Sequence, residues 1–239
     1  MPKIELQHLS VTYLGRKKQE YPAIKDVSCV FENGKISALM GESGSGKTTI
    51  FRAIAGQLLY DGTILSDGVD IAALSLKERR LAYVMQEFAL YPHLTVYDNL
   101  AFPLKLERQS YSTIDEEVIK MARSLDIEYL LSRKPRQLSG GQAQKVCLGR
   151  ALIKKPDLIL LDEPLANVDE AQRGDVLLAI KKQLEESKAT AIYITHNLKE
   201  AIYVSSKIYC LEKGKLAWVK DSSELGQVDP RYVFEKERQ

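Results

Sequence analysis

Gly41-Glu42-Ser43-Gly44-Ser45-Gly46-Lys47-Thr48 (GESGSGKT) follows an apolar run, Ile36 to Met40, and precedes a segment in which Ile50, Ile54 and Leu58 recur every fourth residue. The run reads as a strand and the recurrence as a helix face, so the octapeptide joins strand to helix and fits the phosphate-loop pattern G-x-x-x-x-G-K-S/T. Glycines let such a loop wrap phosphate closely and turn several N–H groups inward. The helix adds the positive end of its dipole. Lys47 is expected to reach the β- and γ-phosphates, and the Thr48 hydroxyl to ligate Mg²⁺, a hard cation that prefers oxygen. Thr49 completes the binding segment.

A second run, LILLDEP (Leu158 to Pro164), ends an apolar stretch with two acids, as a buried parallel strand does when it delivers carboxylates to its C-terminal end. Asp162 is expected to hold Mg²⁺ through water. Glu163, one residue on, lies where a general base could polarise an attacking water.

These residues resemble the ATP-binding cassette (ABC) ATPases, the energising subunits of ABC transporters, over nearly the whole chain. Six motifs stand in family order. GESGSGKT resembles Walker A and LILLDEP Walker B; Gln86 in YVMQEF resembles the Q-loop, LSGGQ (Leu138 to Gln142) the signature, LANVD (Leu165 to Asp169) the D-loop and His196 in YITHN the H-loop. The resemblance implies an α/β fold: a P-loop NTPase, RecA-like core with an antiparallel β-subdomain and an inserted α-helical signature subdomain. It also implies a head-to-tail pair of cassettes, the same or different, with ATP between Walker A of one and the signature of the other. Ser139, Gly140, Gly141 and Gln142 then face the partner's nucleotide, with the Ser139 hydroxyl and the glycine N–H groups donating to its γ-phosphate. In the same resemblance His196 contacts the γ-phosphate and orients Glu163 and water. Gln86 reaches Mg²⁺ and reports nucleotide state to the membrane partner, and Asp169 links the two sites. Tyr13 resembles the aromatic that stacks on adenine, with Tyr21 a nearby competitor; a strand aromatic packed in the core is the other reading.

The chain has 239 residues, 45% of them hydrophobic, which suits one core with a subdomain rather than two cassettes. The expected layout is a single ABC ATPase domain over 1–239. Residues of about 1–87 and 154–220 form the core with its β-subdomain, about 88–153 the helical subdomain and 221–239 a short tail. Core strands are expected at Ile36 to Met40, Leu81 to Met85, Leu158 to Asp162, Ala191 to Thr195 and Ile208 to Leu211, with Leu177, Ile180 and Leu184 as one helix's buried stripe. A net charge of +2 makes no case for nucleic acid, and Arg16-Lys17-Lys18 reads as a solvated loop. No stretch approaches the roughly 18 to 20 apolar residues of a membrane span, and no secretion signal opens the chain, so a soluble protein peripheral to the cytoplasmic face of the cell membrane is expected. Cys29, Cys147 and Cys210 read as reduced core thiols; His8 and His93 read as structural or exposed.

The stretch FALYPHLTVYDNLAFPLKL, with RQLSGGQAQKVCLGRAL and DEPLANVDEAQR, resembles importer ATPases of the maltose and related solute type. In those proteins this region and the Q-loop receive a short coupling helix of a membrane permease, and through the permease a solute-binding protein. Phe88, Leu90, Tyr91 and Phe102 either line that groove or pack in the core. The chain departs from that subgroup in three places. The tail is too short for its β-rich regulatory domain, Asn197 follows His196 where aspartate is usual, and Ala143-Gln144-Lys145 follow the signature where arginines are common. The expected function is ATP hydrolysis powering solute transport, with uptake favoured. The alternative, a non-transport ABC ATPase in DNA repair, chromosome organisation or translation, lacks its usual coiled-coil insertion or second signature.

Overall fold

A computed structural model describes residues 1–15, 19–228 and 233. The Arg16-Lys17-Lys18 run and most of the tail beyond 228 lie outside the described residues. The central sheet is built from β3 (Ile36–Met40), β6 (Leu81–Val84), β7 (Leu158–Asp162), β8 (Thr190–Thr195), β9 (Lys207–Glu212) and β10 (Lys215–Asp221). Their order is β10-β9-β3-β8-β7-β6, parallel throughout except for β10, which returns antiparallel on β9. Every residue of β3, β7 and β8 is buried, which accounts for their unbroken apolar runs. Sheet period then sorts each strand between two cores. Leu158, Leu160, Ile192 and Ile194 face one, and Ile159, Leu161, Ala191 and Tyr193 face the other.

The first core is closed by a four-stranded antiparallel sheet, order β2-β1-β4-β5, made of β1 (Ile4–Leu14), β2 (Glu20–Phe31), β4 (Asp61–Ser66) and β5 (Val69–Asp70). Helix α1 (Lys47–Ile54) packs into the same core through Ile50, Phe51 and Ile54. The expected periodicity through Leu58 overshoots the helix. Gly56 takes φ 72 just past the Ala55 cap, and Leu58 packs from the loop beyond. Strand β6 likewise closes one residue early, at Val84, leaving Met85 and Gln86 exposed.

The second core is helical. It contains α2 (Val96–Leu106), α3 (Tyr111–Ser124), α4 (Gly140–Leu152) and α5 (Glu170–Ser187), whose Leu177, Ile180 and Leu184 are buried. Residues 88–95 are not helical. The buried Asn99 side chain holds this loop, accepting from the Tyr91 N–H at 2.8 Å and donating to Thr95 O at 2.9 Å, while Thr95 caps α2. A last helix, α6 (Leu198–Val204), packs against β3, β8 and β9. Among the described residues, no helix is long and apolar enough to cross a membrane.

Candidate active site

Strands β3, β7 and β8 end side by side, and their C-terminal ends carry the phosphate loop, the Asp162–Glu163 pair and His196. Gly46 caps α1 at φ 106, and no acidic residue occupies that helix's first turn, so its positive end is not neutralised. Gly41 sits at φ 148 so close to the Leu211 carbonyl and the Ser45 hydroxyl that a Cβ would overlap both. The backbone here has no room for a side chain. Ser45 Oγ is buried without a hydrogen-bond partner, the mark of a polar group awaiting a ligand. Lys47 is 5% exposed, and its Nζ donates to the carbonyls of Gly41 and Glu42 at 2.8 Å each. Burial lowers its pKa, against the pull of the Glu163 and Asp162 carboxylates. A cavity of about 650 Å³ opens over the loop, lined by Gly41 to Ser45 and reaching His196 and Lys213. That volume suits a small-molecule ligand.

Asp162 is buried, accepting from Thr48 Oγ1 at 3.2 Å on one oxygen and from the Tyr83 hydroxyl at 3.0 Å on the other. Burial raises its pKa, and those two hydrogen bonds oppose the rise. Glu163 takes φ 44, and its N–H donates to Ile194 O at 3.1 Å, so the chain turns sharply after the strand and the carboxylate leaves the sheet. Its Oε2 lies 3.6 Å from His196 Nδ1, too far for a hydrogen bond. The imidazole side chain is 71% exposed and the carboxylate 23%. The Gln86 side chain is exposed, and the carbonyl of Gln86 accepts from Asn167 Nδ2 at 2.8 Å. The donor set suits a magnesium ion. Thr48 and Asp162 offer hard oxygens, and among the described residues no cluster of three or more His, Cys, Asp or Glu could hold a metal unaided. An ion here would take its other ligands from phosphate and water.

The signature residues line neither this cavity nor the smaller one beside Glu163 and His196. Ser139 caps α4, accepting from the Gln142 N–H at 3.3 Å while its own N–H donates to Gln142 Oε1 at 3.0 Å. Its hydroxyl donates to Gln172 Oε1 of α5 at 3.0 Å. Gly140 packs so tightly on the Asn167 carbonyl, and Gly141 on Gln172, that a Cβ on either would overlap its neighbour. Both glycines serve close approach. Asp169 is exposed at the start of α5 without a side-chain cap hydrogen bond. Tyr13 pairs across the strands with Tyr21, both exposed, and its hydroxyl lies 3.3 Å from Thr49 Oγ1.

A model of the ABC transporter family matches residues 24–166. The chain belongs to the ABC transporter family. Among its curated relatives, this ABC chain is 40% identical over 203 residues to the molybdate/tungstate import ATP-binding protein WtpC of Pyrococcus abyssi, covering 84% of this chain and 59% of the relative. It is 40% identical to the sn-glycerol-3-phosphate import ATP-binding protein UgpC of Vibrio vulnificus, over 93% of this chain and 59% of that one. It is also 40% identical to the trehalose/maltose import ATP-binding protein MalK of Thermococcus litoralis, over 86% and 57% respectively. The chain thus spans under two thirds of the length of these relatives. Among solved structures, the ATP-binding cassette MJ0796, a dimer in a post-hydrolysis state bound to ADP and Pi, matches with a TM-score of 0.81 at 28% identity, covering 92% of this chain and 98% of that one.

Four residues of the ABC site have partners that the motifs do not announce. Tyr83 meets Asp162, Gln172 meets Ser139 and Asn167 meets Gln86 across the fold, while Glu200 shares the small cavity with nearby His196. A second groove of about 300 Å³ lies between β6, α2 and α4, with Met85, Tyr91, Phe102, Leu106 and Arg150 on its walls. Tyr91 packs against Phe102 at 4.6 Å between centroids with the ring planes tilted by 49°, and the Arg150 guanidinium lies 5.1 Å over the Tyr91 ring. Of the four aromatic and apolar candidates, Tyr91 and Phe102 line the groove, whereas Leu90 packs on the helical core and Phe88 is half-buried.

Proposed function

We propose that this chain hydrolyses ATP as the nucleotide-binding subunit of a membrane transporter, and that uptake is its direction. The observation that carries this reading is the meeting of the phosphate loop, Asp162, Glu163 and His196 at three adjacent strand ends, with a cavity over the loop that reaches His196. Lys47, the loop N–H groups and the α1 N-terminus bind the phosphates, with Glu42, Ser43, Gly44, Ser45 and Thr49 shaping the cradle. Tyr13 stacks on the base. Thr48, Asp162 and Gln86 hold a magnesium ion, which when bound neutralises charge on the phosphate oxygens. Glu163 accepts a proton from the attacking water, and His196 orients that water and the carboxylate. Ser139, Gly140, Gly141 and Gln142 of a second cassette complete each site, and Asp169 joins the two, so ATP binding closes the pair and hydrolysis reopens it.

Three relatives named as import ATP-binding proteins favour transport over the DNA and translation roles. They serve three chemically different solutes at the same 40% identity, so the cassette is not where the solute is chosen. In this reading the groove at Tyr91 and Phe102 receives a permease helix, the chain works at the cytoplasmic face of the membrane, and a solute-binding protein acts through that permease. Glu163→Gln tests the reading: turnover falls by roughly 10²-fold or more while ATP is retained and the paired state accumulates. Unchanged turnover rejects Glu163 as the base.

A further inference from the structure

Among the described residues the His196 imidazole makes no hydrogen bond. Its Nδ1 lies 3.6 Å from Glu163 Oε2, and its side chain is 71% exposed. Its position is therefore set by its backbone, a two-residue corner between β8 and α6, and that corner is tied by a closed ring of hydrogen bonds. Thr195 Oγ1 donates to Glu200 Oε2 at 2.9 Å, the Asn197 N–H donates to Thr195 Oγ1 at 3.1 Å, and the Glu200 N–H donates to Asn197 Oδ1 at 3.2 Å. The other Glu200 oxygen accepts from the Tyr193 hydroxyl. Tyr193 and Thr195 are buried on the central strand β8, so the ring is anchored in rigid structure.

Starting from the catalytic reading of His196, we propose that Glu200 is a positioning residue, holding His196 against Glu163 through the Thr195–Asn197 ring. Helix capping alone does not explain this side chain, because the cap uses the Glu200 N–H and leaves the carboxylate free to be any residue. Glu200 is 5% exposed, and a buried carboxylate is costly where an apolar side chain of similar size is often neutral or stabilising. Glu200 also faces the small cavity, of about 160 Å³, that Glu163, Arg173 and His196 share.

Steady-state ATP turnover of the chain, assembled in its active form, tests this with two ways of opening the ring. Thr195→Val removes the hydroxyl at nearly constant volume. The pair Tyr193→Phe with Glu200→Leu removes the carboxylate and its phenol partner together, leaving neither unsatisfied. Each is expected to lower kcat by roughly tenfold to a hundredfold with the KM for ATP little changed. Each should add no further loss once His196→Ala is present. Asn197→Asp, which keeps the accepting oxygen, should restore most of what Asn197→Ala loses. Full turnover in Thr195→Val, or losses that multiply with that of His196→Ala, would overturn the ring while leaving the catalytic reading of His196 standing. Full turnover in His196→Ala alone would remove both.

Discussion

At the scale of single residues, the site mixes groups that announce themselves with groups that do not. Lys47, Thr48, Asp162 and Glu163 fall in runs whose spacing carries their chemistry. Tyr83 stands in a strand like any other aromatic. Its hydroxyl matters only because β6 lies beside β7, so that the phenol reaches Asp162. Tyr83→Phe keeps the edge-on packing against Phe51 and deletes that donor. With Asp162 holding magnesium as proposed, the Mg²⁺ concentration for half-maximal turnover should rise by about tenfold or more, measured by titration at saturating ATP. The thiols make a separate test. Burial pushes Cys29 up to about 12 and Cys147 up to about 11, and Cys210 moves the same way. Since the thiolate is the nucleophile, all three should alkylate slowly at pH 8 in the native protein and quickly after unfolding, as followed by mass spectrometry.

At the scale of elements, sequence pattern was most reliable where burial is complete and least where an element ends. The largely apolar runs of β3, β7 and β8 are buried throughout, and each core strand lies within a residue of its expected span. Helix α1 stops before Leu58 because a left-handed glycine ends it, and the periodic apolar residue beyond finds the core from a loop. The region from 88 to 95 reads as helical from composition, yet Asn99 gathers it into a loop through backbone contacts that composition does not encode. Leu100, fully buried in the helical core, separates packing from exposure. Leu100→Ala should cost about 2 to 5 kcal/mol in urea unfolding. Leu59, 95% exposed, should tolerate Leu59→Ser within about 0.5 kcal/mol in the same measurement.

At the scale of the whole molecule, the two cores meet at the central sheet, whose strand ends hold the phosphate loop and Asp162 on the α1 side and Glu163 beside His196 and Arg173. Ligand binding there should stabilise the entire fold. MgATP at a hundred times its Kd contributes about 2.7 kcal/mol, an upward shift in Tm of roughly 5 to 10 °C in a chain of this size. Chelating Mg²⁺ should shrink the shift and Lys47→Ala should abolish it, both readable by differential scanning fluorimetry. Sequence by itself made the fold class legible and picked out the glycine-rich loop and the Asp162–Glu163 pair that the structure brings to adjacent strand ends, because these depend on runs of neighbouring residues whose burial and backbone demands are local. Tertiary structure alone decided which hydroxyl meets Asp162, which backbone carbonyl Gly140 must clear, and that the corner carrying His196 is anchored on a buried strand. The Asp162 and glycine contacts join residues far apart along the chain, and their distances follow from strand order and helix packing.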